Sequence, residues 1–226
     1  MALTLAFDIY GTVIDTQGVI TQLEAVIGNR AADFSRVWRG KQLEYSFRRG
    51  LMDVYADFGI CTSQAFDYTC HYLGLRFDQA QRSAVLASYS ELPAYADVKK
   101  GLSPLLDTGC HLFAFSNGRG EAVEALLNNA GIRDLFHGVV SCDEIKTFKP
   151  SPAVYTHFLE RSKSSREDTW LVSSNPFDVI GATSAGLHSA WIHRPGSTPF
   201  DPWEFEATIT INSLAELSTA LFTPGE

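Results

Sequence analysis

The sequence predicts an α/β fold, a doubly wound parallel sheet with one all-helical block inserted near its start. Three observations carry this. A short apolar segment, Leu3 to Phe7, opens the chain, is apolar apart from Thr4, and ends on Asp8; it reads as a buried strand. From Asp15 to Asp97 only the helical period is present. From Asp97 onward strand-like and helix-like segments alternate, the pattern of a parallel sheet covered on both faces.

The elements follow in order. Gly11, three residues after Asp8, lets the chain turn sharply away from the first strand. In the helical block Phe34, Val37, Trp38, Lys41 and Tyr45 fall three and four apart on one helical face. Phe47, Leu51, Val54, Tyr55 and Phe58 carry a similar face onward to Gly59, with Gly40 and Gly50 as places for a bend or a break. Two shorter helices are expected around Ser63 to Leu73 and Asp78 to Leu86, the first capped by Ser63 and stopped by Gly74. An amphipathic helix over Val98 to Leu106 leads, past Gly109, to the strand His111 to Phe115, which ends in Ser116-Asn117-Gly118. Helix Glu121 to Asn129, strand Gly138 to Val140, helix Ala153 to Arg161 and strand Trp170 to Val172 come next, the last ending in Ser173-Ser174-Asn175. Strands at Ser189 to Ile192 and Ala207 to Ile211 and a last helix capped by Ser213 complete the pattern, with a Pro-rich surface loop between Gly196 and Pro202.

With 226 residues, 45% apolar and 19% charged, the chain has the composition of a globular protein large enough for one sizeable core. A formal net charge of -8 argues against a general nucleic-acid or anionic-membrane surface. An anionic substrate would therefore need a few local cations. Cys61, Cys70, Cys110 and Cys142 form no CxxC pair, which fits idle or packing thiols in a reducing compartment. No apolar run approaches membrane-spanning length, and Met1-Ala2 leaves no room for a signal peptide ahead of the first strand. A cytoplasmic location is expected.

Polar residues stand beyond the ends of four successive units: Asp8, Ser116-Asn117, Lys149 ahead of its helix, and Ser173 to Asp178. Right-handed crossovers bring all four to one edge of the sheet, where open α/β sheets bind ligands. Taken singly, Asp8 is open to three jobs: nucleophile, metal ligand or helix cap. Ser116 is equally a cap, Lys149 a solvated lysine and Asp178 a first-turn acid facing the helix dipole. Taken together, a nucleophile candidate, a hydroxyl, a lysine and a second acid exceed what capping needs.

The segments Phe7-Asp8-Ile9-Tyr10-Gly11-Thr12, Phe115-Ser116-Asn117-Gly118, Phe148-Lys149-Pro150 and Val172-Ser173-Ser174-Asn175 with Asp178 resemble, in order, the four motifs of the haloacid dehalogenase superfamily. The resemblance implies a Rossmann-like core of residues 1–14 and 98–226, a helical cap of residues 15–97, and Asp8 as nucleophile. Phosphatases of that superfamily carry a second acid where this chain has Tyr10, and usually another acid where it has Ser174. Both departures disfavour phosphoryl transfer: an alkoxide leaving group needs a proton, and a phosphate needs a cation partner. A halide leaves without a proton. The cap segment Trp38-Arg39-Gly40-Lys41-Gln42-Leu43-Glu44-Tyr45 is similar to that of the L-2-haloacid dehalogenases, with Gly40 in place of a larger polar residue.

That branch implies hydrolytic dehalogenation of a small 2-halocarboxylate, with no metal and no organic cofactor. Asp8 would attack C2, and water would then open the ester at the Asp8 carboxyl carbon. Lys149 would sit beside Asp8 as its opposite charge, and Asp178, paired with Lys149, would orient or deprotonate the water. Arg39 and Asn117 would receive the halide, while Thr12, Ser116 and nearby backbone N–H groups would position the substrate carboxylate and Asp8. Tyr155, Ser173 and Asn175 would complete the polar shell, and Tyr10, Leu43, Phe58 and Phe177 an apolar wall. The resemblance also implies a homodimer. Two rival readings stand beside this one: a hydrolase opening another carbon–heteroatom bond at C2 of a small acid, and a non-catalytic small-acid-binding protein of the same fold. Asp8, Lys149 and Asp178 together argue against the second, since binding alone has no use for a nucleophile and its supporting pair.

Overall fold

The computed structural model describes residues 2–194, 196 and 198–222. Among them six strands form one parallel sheet: β1 (Thr4–Asp8), β2 (His111–Ser116), β3 (Gly138–Ser141), β4 (Thr169–Ser173), β5 (His188–Ile192) and β6 (Ile209–Ile211). Their order is β3-β2-β1-β4-β5-β6. The chain winds outward from β1 to one edge and then returns to the other side of β1, so the order reverses between β1 and β4. A crevice opens at such a reversal beyond the carboxyl ends of the strands. Asp8 is the last residue of β1, and the register places Phe7 opposite Val172, which puts Ser173 level with Asp8.

β1 is buried along its whole length, and successive side chains enter opposite layers. Leu5 and Phe7 join the core built with α5 (Val98–Asp107), α6 (Gly120–Asn129) and α9 (Leu217–Phe222), through Leu102, Leu105, Leu126 and Leu217. Ala6 joins the opposite layer with Val154, Tyr155 and Phe158 of α7 (Pro152–Ser162) and Ala182 of α8 (Pro176–Ser184). The doubly wound arrangement expected from the alternating texture is therefore present. Gly11, at φ +90°, makes the turn after β1, where the amides of Thr12, Val13 and Ile14 all return to the Ile9 carbonyl.

Between β1 and α5 stand four helices: α1 (Val19–Ile27), α2 (Ala31–Leu51), α3 (Phe58–Leu73) and α4 (Gln79–Ser88). An aromatic cluster holds them together, with Phe66 of α3 5.1 Å from both Phe34 and Trp38 of α2. The Trp38 indole also donates to the Thr62 carbonyl at 2.8 Å. Such aromatic pairs add about 0.5–1.5 kcal/mol each to the area they bury. That offsets the penalty of about 1 kcal/mol for a glycine inside a helix, and α2 runs through Gly40 and Gly50 without a break. The expected continuation of this face to Gly59 does not occur. The helix stops at Leu51, which is 88% exposed, and Val54 and Tyr55 lie in the link to α3. Nor is Ser63 a cap. Asp57 takes that place, accepting the Ile60 amide at 3.1 Å, and Ser63 lies inside α3, where it accepts from Arg82 at 2.6 Å. An aspartate ahead of Phe58 offers the same acceptor as a serine, and the glycine behind it masks the helix start. Gly74 ends α3 in the left-handed region at φ +64°, and Asp78 opens α4 with a reciprocal capping box.

The chain crosses between sheet and helical block twice, and the crossings lie side by side. The Asp15 amide donates to the Pro93 carbonyl at 2.8 Å and the Tyr95 amide to the Val13 carbonyl at 3.0 Å. At the other end of the chain Ser213 accepts the Ala215 amide, as expected of a cap, while β6 is two residues shorter than the Ala207 to Ile211 segment that the sequence suggests. Part of the loop between Gly196 and Pro202 lies outside the described residues.

Candidate active site

Seven of the expected residues meet at the end of β1 in one hydrogen-bonded network. The two Asp8 oxygens have different surroundings. Oδ1 accepts from the Lys149 ammonium at 3.1 Å. Oδ2 accepts from Thr12 Oγ1 at 2.9 Å, Ser173 Oγ at 3.3 Å and Asn175 Nδ2 at 2.6 Å. Thr12 reaches Asp8 because the Gly11 turn brings it back over the strand end, and its hydroxyl also accepts the Ser174 amide at 2.9 Å. Ser173 accepts the Asn175 amide at 3.0 Å, so the turn after β4 is fixed by the same hydroxyls that serve Asp8.

Lys149 is 1% exposed and places its three N–H bonds on Asp8, the Phe115 carbonyl at 2.9 Å and Asp178 Oδ2 at 2.7 Å. The other Asp178 oxygen accepts from the Tyr155 hydroxyl at 2.8 Å. Gly181, one turn along α8 from Asp178, permits that contact, since a Cβ there would run into the Tyr155 hydroxyl and Pro150. Burial works against the charge on Lys149, but the charges of Asp178 and Asp8 outweigh it and hold the ammonium charged, above its ordinary range. For Asp178 burial prevails. It pushes the carboxyl up to about 6, against the pull of Lys149 and with the help of the Asp8 charge. Burial and the Asp178 charge raise Tyr155 well above the usual phenol range, so it remains a donor. One cation thus serves two carboxylates, and burial makes the deeper one a weak acid.

The remaining expected residues surround this network. Asn117 Oδ1 accepts the Lys149 backbone amide at 2.9 Å, which leaves its Nδ2 as the donor. Ser116 Oγ accepts the Gly118 amide at 3.1 Å and keeps its own proton to give. Arg39 comes down from α2 onto the Tyr10 carbonyl at 3.2 Å, and the same carbonyl accepts from Asn175 at 3.1 Å. Tyr10 packs against Phe58 at 6.0 Å. Leu43 is half-buried one turn beyond Arg39 on α2. Phe177 packs on Phe47 at 5.0 Å, beside an apolar cleft of about 650 Å³ that Phe148, Ile180 and Trp203 also line. Gly40 is exposed, and a Cβ there would meet no atom within 4 Å, so nothing packs on that position.

Two neighbours of the site lie outside the sequence expectations. Gln42, fully buried, accepts from Arg39 at 2.7 Å and donates to Thr62, fixing the guanidinium from behind. Tyr89 lies 6.4 Å from Tyr10 and 4.9 Å from Trp38. Burial pushes both Tyr89 and Tyr10 up to about 12, opposed in each case by Arg39. The i, i+3 spacing of Arg39 and Gln42 is the available signal for the first; Tyr89 follows the last turn of α4 and has none.

The chain is similar to known proteins. The chain is 35% identical to an (S)-2-haloacid dehalogenase of Pseudomonas sp. (strain YL) over 85% of its own length and 83% of the relative's. It is 33% identical to the (S)-2-haloacid dehalogenase of Pseudomonas putida over 96% and 95%. The L-2-haloacid dehalogenase of Xanthobacter autotrophicus with chloropropionic acid covalently bound superposes with a TM-score of 0.91 at 30% identity, covering all of both chains. The family model for haloacid dehalogenase-like hydrolases matches residues 3–186, and the chain belongs to that family.

Proposed function

We propose that the protein hydrolyses short L-2-haloalkanoic acids to D-2-hydroxy acids, with inversion at C2, through an ester on Asp8. The unequal surroundings of the two Asp8 oxygens carry this reading. Oδ2 holds three donors and Oδ1 one, so Oδ1 keeps the free lone pair for attack on C2 from behind the carbon–halogen bond. Arg39 and Asn117 Nδ2 receive the departing halide, which takes the bonding electrons and needs no proton. Ser116 and nearby amides hold the substrate carboxylate. In the resulting ester Oδ2 is the carbonyl oxygen, and Thr12, Ser173 and Asn175 already point at it. Donors fixed in advance where negative charge will develop are worth about 2.7–4 kcal/mol each in acyl chemistry. Water oriented by Asp178 adds to the ester carbon, and the hydroxy acid departs with the original Asp8 oxygen. Lys149 stays charged throughout and balances the two acids. Tyr155 holds Asp178, while Tyr10, Leu43, Phe58 and Phe177 keep stray water away.

The helices of residues 15–97 act as a cap on a core of residues 1–14 and 98–226, bringing Arg39 to the nucleophile. No helix among the described residues is long and apolar enough to cross a membrane, and the four thiols are free; a cytoplasmic enzyme is the reading that fits. A homodimer is supported by the outer α2–α3 face. Ile60 and Tyr72 of α3 are 42% and 65% exposed and Met52, just after α2, is 66% exposed, exposed apolar side chains of the kind that mark an interface. Light scattering should give twice the chain mass for the wild type and the single-chain mass for Ile60→Asp/Tyr72→Glu; a wild-type monomer excludes this arrangement.

The functional reading is tested by halide release from the two enantiomers of 2-chloropropionate in excess chelator. The (S) enantiomer should be consumed to D-lactate and the (R) enantiomer at least about 100-fold more slowly, a discrimination of about 2.7 kcal/mol. Halide release from neither enantiomer, or release only with added magnesium, would refute the assignment.

A further inference from the structure

Both crossings between core and cap meet at one side chain outside the motifs. Arg194 follows β5, and its Nη2 donates to the Thr12 carbonyl at 2.9 Å. Its Nη1 and Nη2 also grip Asp97 at 2.8 and 3.2 Å. Thr12 lies on the outgoing crossing and Asp97 on the returning one. The guanidinium stacks 3.9 Å from the ring of Tyr95, which pairs through its amide with Val13. Asp97 is itself pinned by Ser213 Oγ and the Leu214 amide, each at 2.8 Å. Burial would raise the Asp97 carboxyl, but Arg194, Ser213 and the Leu214 amide outweigh it and hold it below its ordinary value. Arg194 Nε is buried with no hydrogen-bond partner among the described residues.

From this geometry we infer that Arg194 is a positioning residue for the Asp8 chemistry. It acts through Thr12, whose carbonyl it holds and whose hydroxyl donates to Asp8 Oδ2 at 2.9 Å and accepts the Ser174 amide. By gripping Asp97 at the same time, it ties the position of that hydroxyl to the cap hinge. When Arg194 is lost, the 12–15 and 93–97 segments separate more readily, and Thr12 no longer holds the carboxylate oxygen that becomes the ester carbonyl. The Arg194 hydrogen bonds go to Thr12 and Asp97 and to none of the groups assigned to the halide or the substrate carboxylate, so the larger effect falls on turnover.

The proposal rests on the dehalogenase reading for its kinetic arm but not for its structural one. In Arg194→Met, kcat for (S)-2-chloropropionate should fall at least tenfold with KM within threefold of wild type. Arg194→Lys, which keeps a donor and the charge, should recover a substantial part. Hydrogen exchange in the substrate-free protein should quicken at the Asp15 and Tyr95 amides in Arg194→Met and much less in Arg194→Lys. A kcat within twofold of wild type in Arg194→Met, or a KM rise with kcat unchanged, overturns the proposal. If Arg194→Met does not fold, Asp97→Asn decides on the same readouts: a severalfold lower kcat and faster hinge exchange support it, and wild-type values overturn it. If the wild type itself releases no halide, the functional reading fails, and exchange alone decides the clamp: unchanged protection at both amides in Arg194→Met overturns it.

Discussion

Asp8→Asn is expected to lower halide release by a factor on the order of 10⁵ to 10⁶, the scale seen when a covalent nucleophile is removed from a hydrolase, while the fold persists. An amide of the same size offers no anionic oxygen to C2. It also fits the site poorly, because both sides of the Asp8 carboxylate face donors. Its NH2 must point either at the Lys149 ammonium or at Thr12, Ser173 and Asn175. The stability loss is moderate nonetheless. Lys149 keeps Asp178 at 2.7 Å and the Phe115 carbonyl, so it is not left as the unpaired buried charge that costs about 3–5 kcal/mol. Circular dichroism should be unchanged, and the loss should lie in kcat. The variant must be followed over time, because deamidation of the introduced amide restores the wild-type residue. Activity within a hundredfold of wild type in fresh protein would sink the covalent route.

The proposed nucleophile can be followed by oxygen. With enzyme in excess over substrate in heavy-oxygen water, one turnover should label the Asp8 carboxylate and leave ordinary oxygen in the hydroxy acid. Direct attack of water on C2, with Asp8 as base, would label the product and spare Asp8. The outcome separates the two mechanisms independently of any substitution.

What is legible in the sequence follows the range of the interactions. Asp8, Ser116 and Ser173 can be placed at one sheet edge because each ends a short apolar strand, and parallel pairing brings such ends together. Lys149 follows a short turn over Cys142–Ile145 and no strand, so only its motif identifies it. Tyr155 is reached by resemblance alone; nothing in its helix says that it faces a carboxylate 23 residues away. Arg194 escapes altogether, and Gln42 shows only its i, i+3 spacing from Arg39. A polar residue in a helix or after a strand gives no sign that its partner lies 20 or 182 residues distant. The helix boundaries expected in the helical block are misplaced for a local reason, a glycine just inside the true start of α3 and exposed apolar residues just beyond the end of α2.

Asp178→Asn is expected to separate the two chemical steps. Lys149 would remain near Asp8, so attack on C2 can still occur. The group assigned to take the proton from water is gone, and general-base assistance of this kind contributes about 10²- to 10⁴-fold. Halide should therefore appear as a single burst of at most one equivalent, followed by slow turnover, with the ester visible as a mass increase on the peptide containing Asp8. Geometry works against a clean separation. The amide introduced at position 178 can turn its oxygen to Lys149 Nζ and its NH2 to the Tyr155 hydroxyl oxygen, whose proton then serves the backbone carbonyl of residue 178, but Lys149 is left with Asp8 as its one anionic partner. Some of the loss will then fall on the first step, and the two substitutions will not add, since Asp8, Lys149 and Asp178 act as a unit. The wild-type pH profile supplies the independent check. Burial raises Asp178 to about 6, and only its ionised form can accept a proton from water. Ester formation removes the Asp8 charge that helps raise Asp178, so ester hydrolysis should weaken at a pH below about 6, while halide release in a single turnover persists to lower pH still. In Asp178→Asn that inflection in the hydrolysis step should disappear. An inflection that survives the substitution would assign it to another group, and absence of both burst and ester would move Asp178 from the second step to the first.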